Sequence, residues 1–196
     1  MKKFFIKNKK TIILSVVLLL TIAAYGIAAN KTASQSTVEA TAGKKVAAQP
    51  KEIDPKIKEF GLKIDKLNIL VPIIKDVDGA NKTAYNEALK GGVAHFEGTA
   101  LPGEKGNIFI FGHSSAEIKV GDYTKIFATL DDLTEGDEII VYYKNDEHKY
   151  KVSEKKIVAA TDLSVLNKTK TETLTLMTCW PVGTKDKRLI VRAVPE

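Results

Sequence analysis

Cysteine is nearly absent from this sequence, since its 196 residues include only one, Cys179. A single cysteine excludes an internal disulfide, so the thiol is half of an intermolecular bridge, an inert buried side chain or a reactive group. Free cysteines are often small core residues, so composition alone favours the inert role. A functional role for Cys179 therefore has to be argued from its neighbours.

The globular part of the chain also lacks a net positive charge, although the whole chain has a formal charge of +6. Residues 1–10 contain five lysines and no acid, and residues 11–60 contain six lysines against four acids, which leaves residues 61–196 at about −1. A nearly neutral domain offers no broad face for phosphates. We therefore predict no nucleic-acid partner.

Long apolar runs are missing except at residues 11–29 (TIILSVVLLLTIAAYGIAA), which are nineteen residues without a charge. This is close to the length that a helix needs to cross a hydrocarbon core. The basic leader at residues 1–10 is expected to stay in the cytoplasm, with everything after the helix outside. A cleaved signal peptide is the alternative, but the run is longer than the usual signal core. We expect a single-pass membrane anchor and an exported domain.

Residues 30–60 are predicted to be a flexible stalk that holds the domain away from the bilayer. Their first part is rich in Ala, Thr, Ser and Lys, without a hydrophobic period. A short helical or irregular segment is expected at residues 54–60. Residues 61–196 form the predicted globular domain.

Short runs rich in β-branched and aromatic residues make up most of this domain. They are LKIDKLNILVPII, GNIFIF, DEIIVYY, KYKVSEKKIV, TLTLMT and RLIVRAV, with a hairpin turn expected at Asn145-Asp146. Helical spacing appears only at residues 83–90 and 122–133. The pattern predicts a mainly β fold with a few short helices, and a closed or nearly closed barrel would remove the strand edges.

Three residues with useful chemistry lie where predicted strands end or begin. His113 follows the strand IFIF, Cys179 follows TLTLMT, and Arg188 begins the next strand after a short basic loop. A strand end gives a rigid base with an exposed tip, and an adjacent guanidinium favours a thiolate. A histidine bonded to backbone and a surface arginine are the alternatives for His113 and Arg188.

The chain resembles the sortase family in three separate segments. Residues 174–179 (LTLMTC), followed by Arg188 and LIV, resemble the sortase signature TLxTC with its arginine-headed strand. Residues 91–104 (GGVAHFEGTALPGE), with Gly106-Asn107 and Gly112-His113, resemble an upstream segment of that family. The similarity covers about residues 61–194, with the segments in the same order.

The resemblance implies a sortase-type closed or nearly closed barrel of about eight strands and a cysteine transpeptidase. Cys179 would be the nucleophile, His113 the general acid/base, and Arg188 the group that stabilises the oxyanion or the substrate. The substrate would be a secreted protein with a C-terminal sorting signal, cleaved between Thr and Gly of an LPxTG-like motif. A peptidoglycan precursor or a pilin lysine would supply the accepting amine. No cofactor is needed for this chemistry, and calcium dependence stays open.

Thr178, Trp180 and His95 are candidates for substrate binding. For His95 a role in loop structure is an equal alternative, and for Trp180 a hydrophobic cover of the barrel rim is another. Ser114-Ser115 depart from the Arg-Asp or similar residues that follow the histidine in many sortases.

Spacing and signatures also bear on the sortase subclass and on competing functions. The nine-residue step from Cys179 to Arg188 resembles pilin-polymerising sortases. Those usually add an N-terminal lid and a second membrane helix, which are not visible here, so general surface anchoring is favoured. A papain-like protease would place its cysteine early, and the signature of an L,D-transpeptidase is absent around Cys179. A non-catalytic wall-binding module on the same fold stays open.

Overall fold

Eight β-strands dominate the computed structural model, which describes residues 52–115 and 123–196. The strands are β1 (Phe60–Ile64), β2 (Ile69–Val77), β3 (Val93–Phe96), β4 (Asn107–Phe111), β5 (Glu138–Tyr143), β6 (Asp146–Ala159), β7 (Thr173–Trp180) and β8 (Lys187–Pro195). The α-helices are α1 (Pro55–Glu59) and α2 (Lys82–Ala88), and three 3₁₀ helices cover Asp65–Leu67, Leu130–Asp132 and Leu163–Leu166.

The strands close into a barrel in the order β1-β2-β3-β4-β7-β8-β6-β5. β5 pairs with β1 and completes the ring, so no strand edge is left open. The pairs β2/β3 and β4/β7 are parallel, and the other pairs are antiparallel. The prediction of a mainly β, closed or nearly closed barrel of about eight strands with a few short helices is confirmed.

Two layers of apolar side chains cover the barrel wall, one on each face. The inner layer takes buried residues from all eight strands, among them Ile110 of β4, Leu176 of β7 and Val191 of β8. The outer layer contains strand neighbours such as Phe111 and Met177, which pack with residues of α2. Because both faces of β4 are buried, this strand appears in the sequence as a continuous apolar run, IFIF.

The segment predicted as a helix at residues 122–133 is a series of tight turns where the structure describes it. The N–H of Ile126 donates a hydrogen bond to the carbonyl of Tyr123, three residues earlier, at 3.3 Å, and a 3₁₀ helix covers Leu130–Asp132. The N–H of Phe127 donates instead to the carbonyl of His113 at 2.9 Å. The α-helix prediction is wrong because apolar residues about three apart suit successive turns as well as a helix, and a long-range hydrogen bond breaks the helical pattern.

Other local predictions differ from the structure by small amounts. The helix expected at residues 83–90 is confirmed as α2, where the side chain of Asn81 caps the first turn. The hairpin turn was predicted at Asn145-Asp146, but it lies one residue earlier. Its two central residues are Lys144 and Asn145, which have positive φ angles of 52° and 73°. Both central residues of the tight hairpin turn require this conformation, and lysine is an unusual residue there. Strand β3 was missed because four residues are too few to show an alternation.

The chain enters the barrel through α1. The carboxylate of Asp54 accepts the N–H of Lys56 at 2.8 Å, and Pro55 occupies the first turn, which favours a helix start. Ile57 packs against Ile140 and Tyr142. No helix within residues 52–115 and 123–196 is long and apolar enough to cross a membrane. The predicted leader, anchor and most of the predicted stalk lie outside the described residues.

Candidate active site

Cys179 and Arg188 are directly opposite each other on neighbouring strands. Strand alternation puts Cys179 on the outer face of β7 with Met177, and the antiparallel register pairs it with Arg188 of β8. Side chains at such paired positions have Cβ atoms roughly 4.5–5.5 Å apart. The predicted proximity of these two residues is therefore present in the fold.

His113 reaches the same place from the other side of Cys179. Strand β4 is parallel to β7, with Phe111 level with Met177. His113 lies two residues after Phe111, as Cys179 lies two residues after Met177, and both residues line the same cleft. Three residues from three separate segments thus meet on one side of the barrel wall.

Hydrogen bonds from the residues directly before and after His113 hold this segment against β7. Towards β7, the Gly112 N–H donates to the Met177 carbonyl at 3.1 Å, and the Thr178 hydroxyl donates to the Gly112 carbonyl at 2.9 Å. The buried Ser114 hydroxyl donates to the carbonyl of Cys179 at 2.9 Å. These bonds fasten the end of β4 to the end of β7, so the two reacting side chains share one rigid support.

An open cleft of about 650 Å³ lies over these residues on the outer face of the barrel. Its floor is apolar, and residues at and after α2 form one wall, while the loop between β7 and β8 forms another. The lining residues are Gly79, Lys82, Tyr85, Asn86, Leu89, Lys90, Phe96, Phe111, Gly112, His113, Ser115, Thr124, Met177, Thr178, Cys179, Gly183, Thr184, Lys185 and Arg188. A groove with this volume and these walls can accept an extended peptide.

The imidazole of His113 is held largely in its neutral form. Burial lowers its pKa from the ordinary value of 6.5, and the positive charge of Lys185 lowers this pKa further. Near neutral pH most of the imidazole is therefore unprotonated. In this form it can accept the proton of a thiol and later donate it to a leaving group.

Arg188 is half-buried, and the chain around it orients its guanidinium. Its Nη1 donates to the carbonyls of Lys185 and Lys187, at 3.1 and 2.9 Å. A guanidinium has five N–H donors, so these two bonds leave donors for a substrate oxygen.

Of the three candidates for substrate binding, only Thr178 lines the cleft. Its side chain is buried and bonded to Gly112. Trp180 packs against the inner apolar layer, which fits the alternative role as a cover of the barrel rim.

His95 is fully buried and does not line the cleft. Its Nε2 lies 2.9 Å from the Thr99 hydroxyl and 3.0 Å from the Ala100 carbonyl, and its Nδ1 accepts the N–H of Asp76 at 3.4 Å. Alternation places His95 on the inner face of β3, away from Cys179. This geometry fits the alternative role in loop structure.

Sequence reasoning gave no role to Ser114 or Lys185, which the structure places beside the reacting groups. The basic loop before Arg188 was a signal for Lys185, but nothing local showed that this loop faces His113. Within the described ranges, no group of three or more His, Cys, Asp or Glu residues could hold a metal ion.

Comparison with known proteins agrees with this geometry. The family model described as the sortase domain matches residues 62–196. The chain belongs to the sortase family. Sortases are cysteine transpeptidases, and Cys179 is the single cysteine of this chain. The matched residues include Cys179, His113 and Arg188, and they span the barrel from β1 to β8.

Individual relatives show the same relationship. Sortase D of Bacillus subtilis (strain 168) is 29% identical over 134 residues, which are 66% of this chain and 60% of that protein. The chain therefore matches about 60% of the length of this curated relative. A Clostridium perfringens sortase D5 transpeptidase has a TM-score of 0.58 at 29% identity, over 70% of this chain and 78% of that one. Sortase C1 of the GBS pilus island 1 has a TM-score of 0.59 at 28% identity, over 70% of this chain and 63% of that one.

Proposed function

We propose that the chain is a cysteine transpeptidase that cuts an LPxTG-like sorting motif between Thr and Gly and transfers the acyl part to an amine. The observation that carries this proposal is the meeting of Cys179, His113 and Arg188 in one peptide-sized cleft. Nucleophile, proton carrier and cation come from three strand ends that hydrogen bonds tie together.

In the first step the sulfur of Cys179 attacks the threonine carbonyl. The thiol proton passes to the neutral imidazole of His113, a C–S bond forms, and the carbonyl oxygen becomes an oxyanion. The remaining N–H donors of Arg188 stabilise that charge. As the C–N bond breaks, His113 gives its proton to the glycine amine, which leaves an acyl thioester on Cys179.

In the second step an amine attacks the thioester. His113 accepts a proton from the attacking nitrogen, a C–N bond forms and the C–S bond breaks, and His113 then returns that proton to the sulfur, so Cys179 is regenerated as a thiol. A peptidoglycan precursor as acceptor would anchor proteins to the cell surface. A pilin lysine as acceptor is the second candidate, which the similarity to a sortase from a pilus island favours.

The cellular position belongs to the same proposal. Residues 11–29 would anchor the chain in the cell membrane, with residues 1–10 in the cytoplasm and the barrel outside. Secreted proteins bearing a C-terminal sorting signal would then meet the cleft at the outer face of the membrane.

The test is mass spectrometry of the purified full chain, incubated with a library of LPxTG-type peptides and with triglycine as acceptor. We expect an acyl adduct on Cys179 and a triglycine-dependent product, both absent in Cys179→Ala. In Arg188→Lys we expect a loss of about 10²- to 10³-fold in turnover, because the charge stays while the fork of donors is lost. Unmodified peptide and protein throughout, with either triglycine or a lysine-containing acceptor, would contradict the proposal.

A further inference from the structure

The hydrogen-bond ladder between β4 and β7 continues past the last residue of β4, but with a side chain as the donor. The two strands are parallel, with Phe111 level with Met177, and the Gly112 N–H donates to the Met177 carbonyl at 3.1 Å. In a parallel pair every second residue of one strand donates to the other, so the N–H of Ser114 would be the next donor and the Cys179 carbonyl the next acceptor. The Ser114 hydroxyl takes that place and donates to this carbonyl at 2.9 Å.

This use of a side chain lets the backbone leave the strand at His113 while the segment stays bound to β7. The His113 carbonyl accepts the N–H of Phe127 at 2.9 Å, outside the ladder. Ser114 is fully buried, so its hydrogen bond forms in a low-dielectric surrounding without competition from water. The imidazole is therefore carried by a residue whose carbonyl is held by Phe127 and whose successor is held by Cys179.

Ser114 makes the most direct link between the two reacting residues. It follows His113 in the chain, and its hydrogen bond ends on Cys179 itself. The bond from the Thr178 hydroxyl to Gly112 joins the residues before the two reacting groups. Two bonds that bracket the reacting residues in this way oppose both sliding and twisting of one strand end against the other.

Ser114 is also the first of the two residues at which this chain departs from many sortases, where Arg-Asp or similar residues follow the histidine. Serine carries its donor directly on Cβ, as this contact at a fully buried position requires, whereas the donors of arginine lie at the end of a long side chain. The departure therefore has a structural consequence in this chain, because it supplies the bond to Cys179.

We propose that Ser114 is a positioning residue, and that its buried hydroxyl holds the thiol of Cys179 and the imidazole of His113 at the separation that proton transfer between them needs. Ser114 is not among the described residues that line the cleft, so it acts through these two groups. This inference rests on the proposed function, in which Cys179 is the nucleophile and His113 the proton carrier.

The first test is transpeptidation of an LPxTG-type peptide onto triglycine by the full chain carrying Ser114→Ala. We expect kcat to fall about 10- to 100-fold, with KM changed by less than about 2-fold, because the reacting groups move while the residues of the cleft stay. Ser114→Thr returns a hydroxyl and should recover most of the lost kcat. Thr175→Val is the matched control, since it also removes a fully buried hydroxyl between β4 and β7, farther from Cys179. Its kcat should stay within about 2-fold of that of the unaltered chain, at a comparable loss of melting temperature.

Alkylation of Cys179 by iodoacetamide gives a second readout, which needs no peptide. Proton transfer to His113 helps to form the thiolate, which is the form that reacts. Near neutral pH we expect the alkylation rate to fall about 3- to 10-fold in Ser114→Ala, and to fall in His113→Ala as well. Addition of Ser114→Ala to His113→Ala should change the rate no further, because the effects of residues that act as a unit do not add.

The outcomes separate this inference from the proposed function. Equal kcat in Ser114→Ala and Thr175→Val, with the alkylation rate of Cys179 unchanged, would overturn the positioning role and leave the transpeptidase standing. No turnover by the unaltered chain, together with alkylation that slows in Ser114→Ala only where His113 is present, would contradict the transpeptidase and support the positioning role. An equal slowing of alkylation by Ser114→Ala with and without His113 would show that Ser114 acts independently of the imidazole, and would also overturn the positioning role.

Discussion

Replacement of Thr178 by valine tests whether the hydrogen bonds between β4 and β7 position the reacting groups. The Thr178 hydroxyl is buried and donates to the Gly112 carbonyl at 2.9 Å, and Gly112 directly precedes His113. Valine has nearly the same shape, so the substitution removes the bond without opening a cavity. Thr175→Val is the matched control, because the Thr175 hydroxyl is equally buried in β7 and donates to Asn107 at 2.7 Å, farther from the cleft.

Both substitutions should destabilise the barrel to a similar extent. Loss of a buried hydrogen bond that leaves its acceptor without a donor costs about 1–3 kcal/mol. For a domain of this size, that corresponds to a melting temperature lower by roughly 3–10 °C. Only Thr178→Val removes a bond beside His113, because Thr175 bonds to Asn107 at the other end of β4. Thr178→Val alone should therefore lower kcat/KM, by about 10- to 100-fold, because small displacements of a reacting group are costly.

The assay is peptide transpeptidation with triglycine, measured well below the melting temperature of each variant, alongside thermal unfolding. Thr178→Val should lose activity while Thr175→Val keeps at least about half, at comparable loss of stability. Equal activity in the two variants would show that the bond to Gly112 contributes only to stability, and the positioning argument would fail.

Three further predictions concern Lys185, His95 and Gly112. Lys185→Gln removes a charge that lowers the pKa of His113, so the acidic limb of the pH profile of kcat/KM should move to higher pH; a limb that stays in place would refute this electrostatic coupling. Burial lowers the pKa of His95 below its ordinary value of 6.5, so the unfolded chain binds more protons and stability should be lost as the pH falls from 6.5. The melting temperature should therefore fall less between pH 7.5 and pH 5 in His95→Gln than in the unaltered chain, and an identical fall would contradict this. Gly112→Ala should cost about 1–3 kcal/mol in the free energy of unfolding, because the new Cβ would lie 2.8 Å from the ring of Phe127; unchanged denaturant unfolding would show that the ring moves aside freely.

Much of the fold was predictable because its signals are local. The alternation and β-branched content of β7 and β8 identify strands, and the turn residues between runs separate them. The prediction failed at residues 122–133, where the bond between Phe127 and His113 replaces a helical bond. No local pattern encodes a hydrogen-bond partner that is fourteen residues away.

The candidate site was predictable to a smaller extent. The motifs around Cys179, His113 and Arg188 could be recognised in the sequence, and strand ends place such residues at a rim. Their common face depends on the register of β4 with β7 and of β7 with β8. A shift of one residue in either pairing would bring a different side chain to the position of His113 or Arg188.

The sequence by itself determined the strand-rich composition, the three segments that resemble sortases and the residue types that carry the chemistry. Only the tertiary structure decided that His95 lies inside the barrel and that Ser114 holds the backbone of Cys179. It also decided that Lys82 and Lys185 lie on two walls of one cleft. The reason is physical, since the alternation of side chains along a strand is a local property. The residues that line a cleft depend instead on which distant strands pair and in which register.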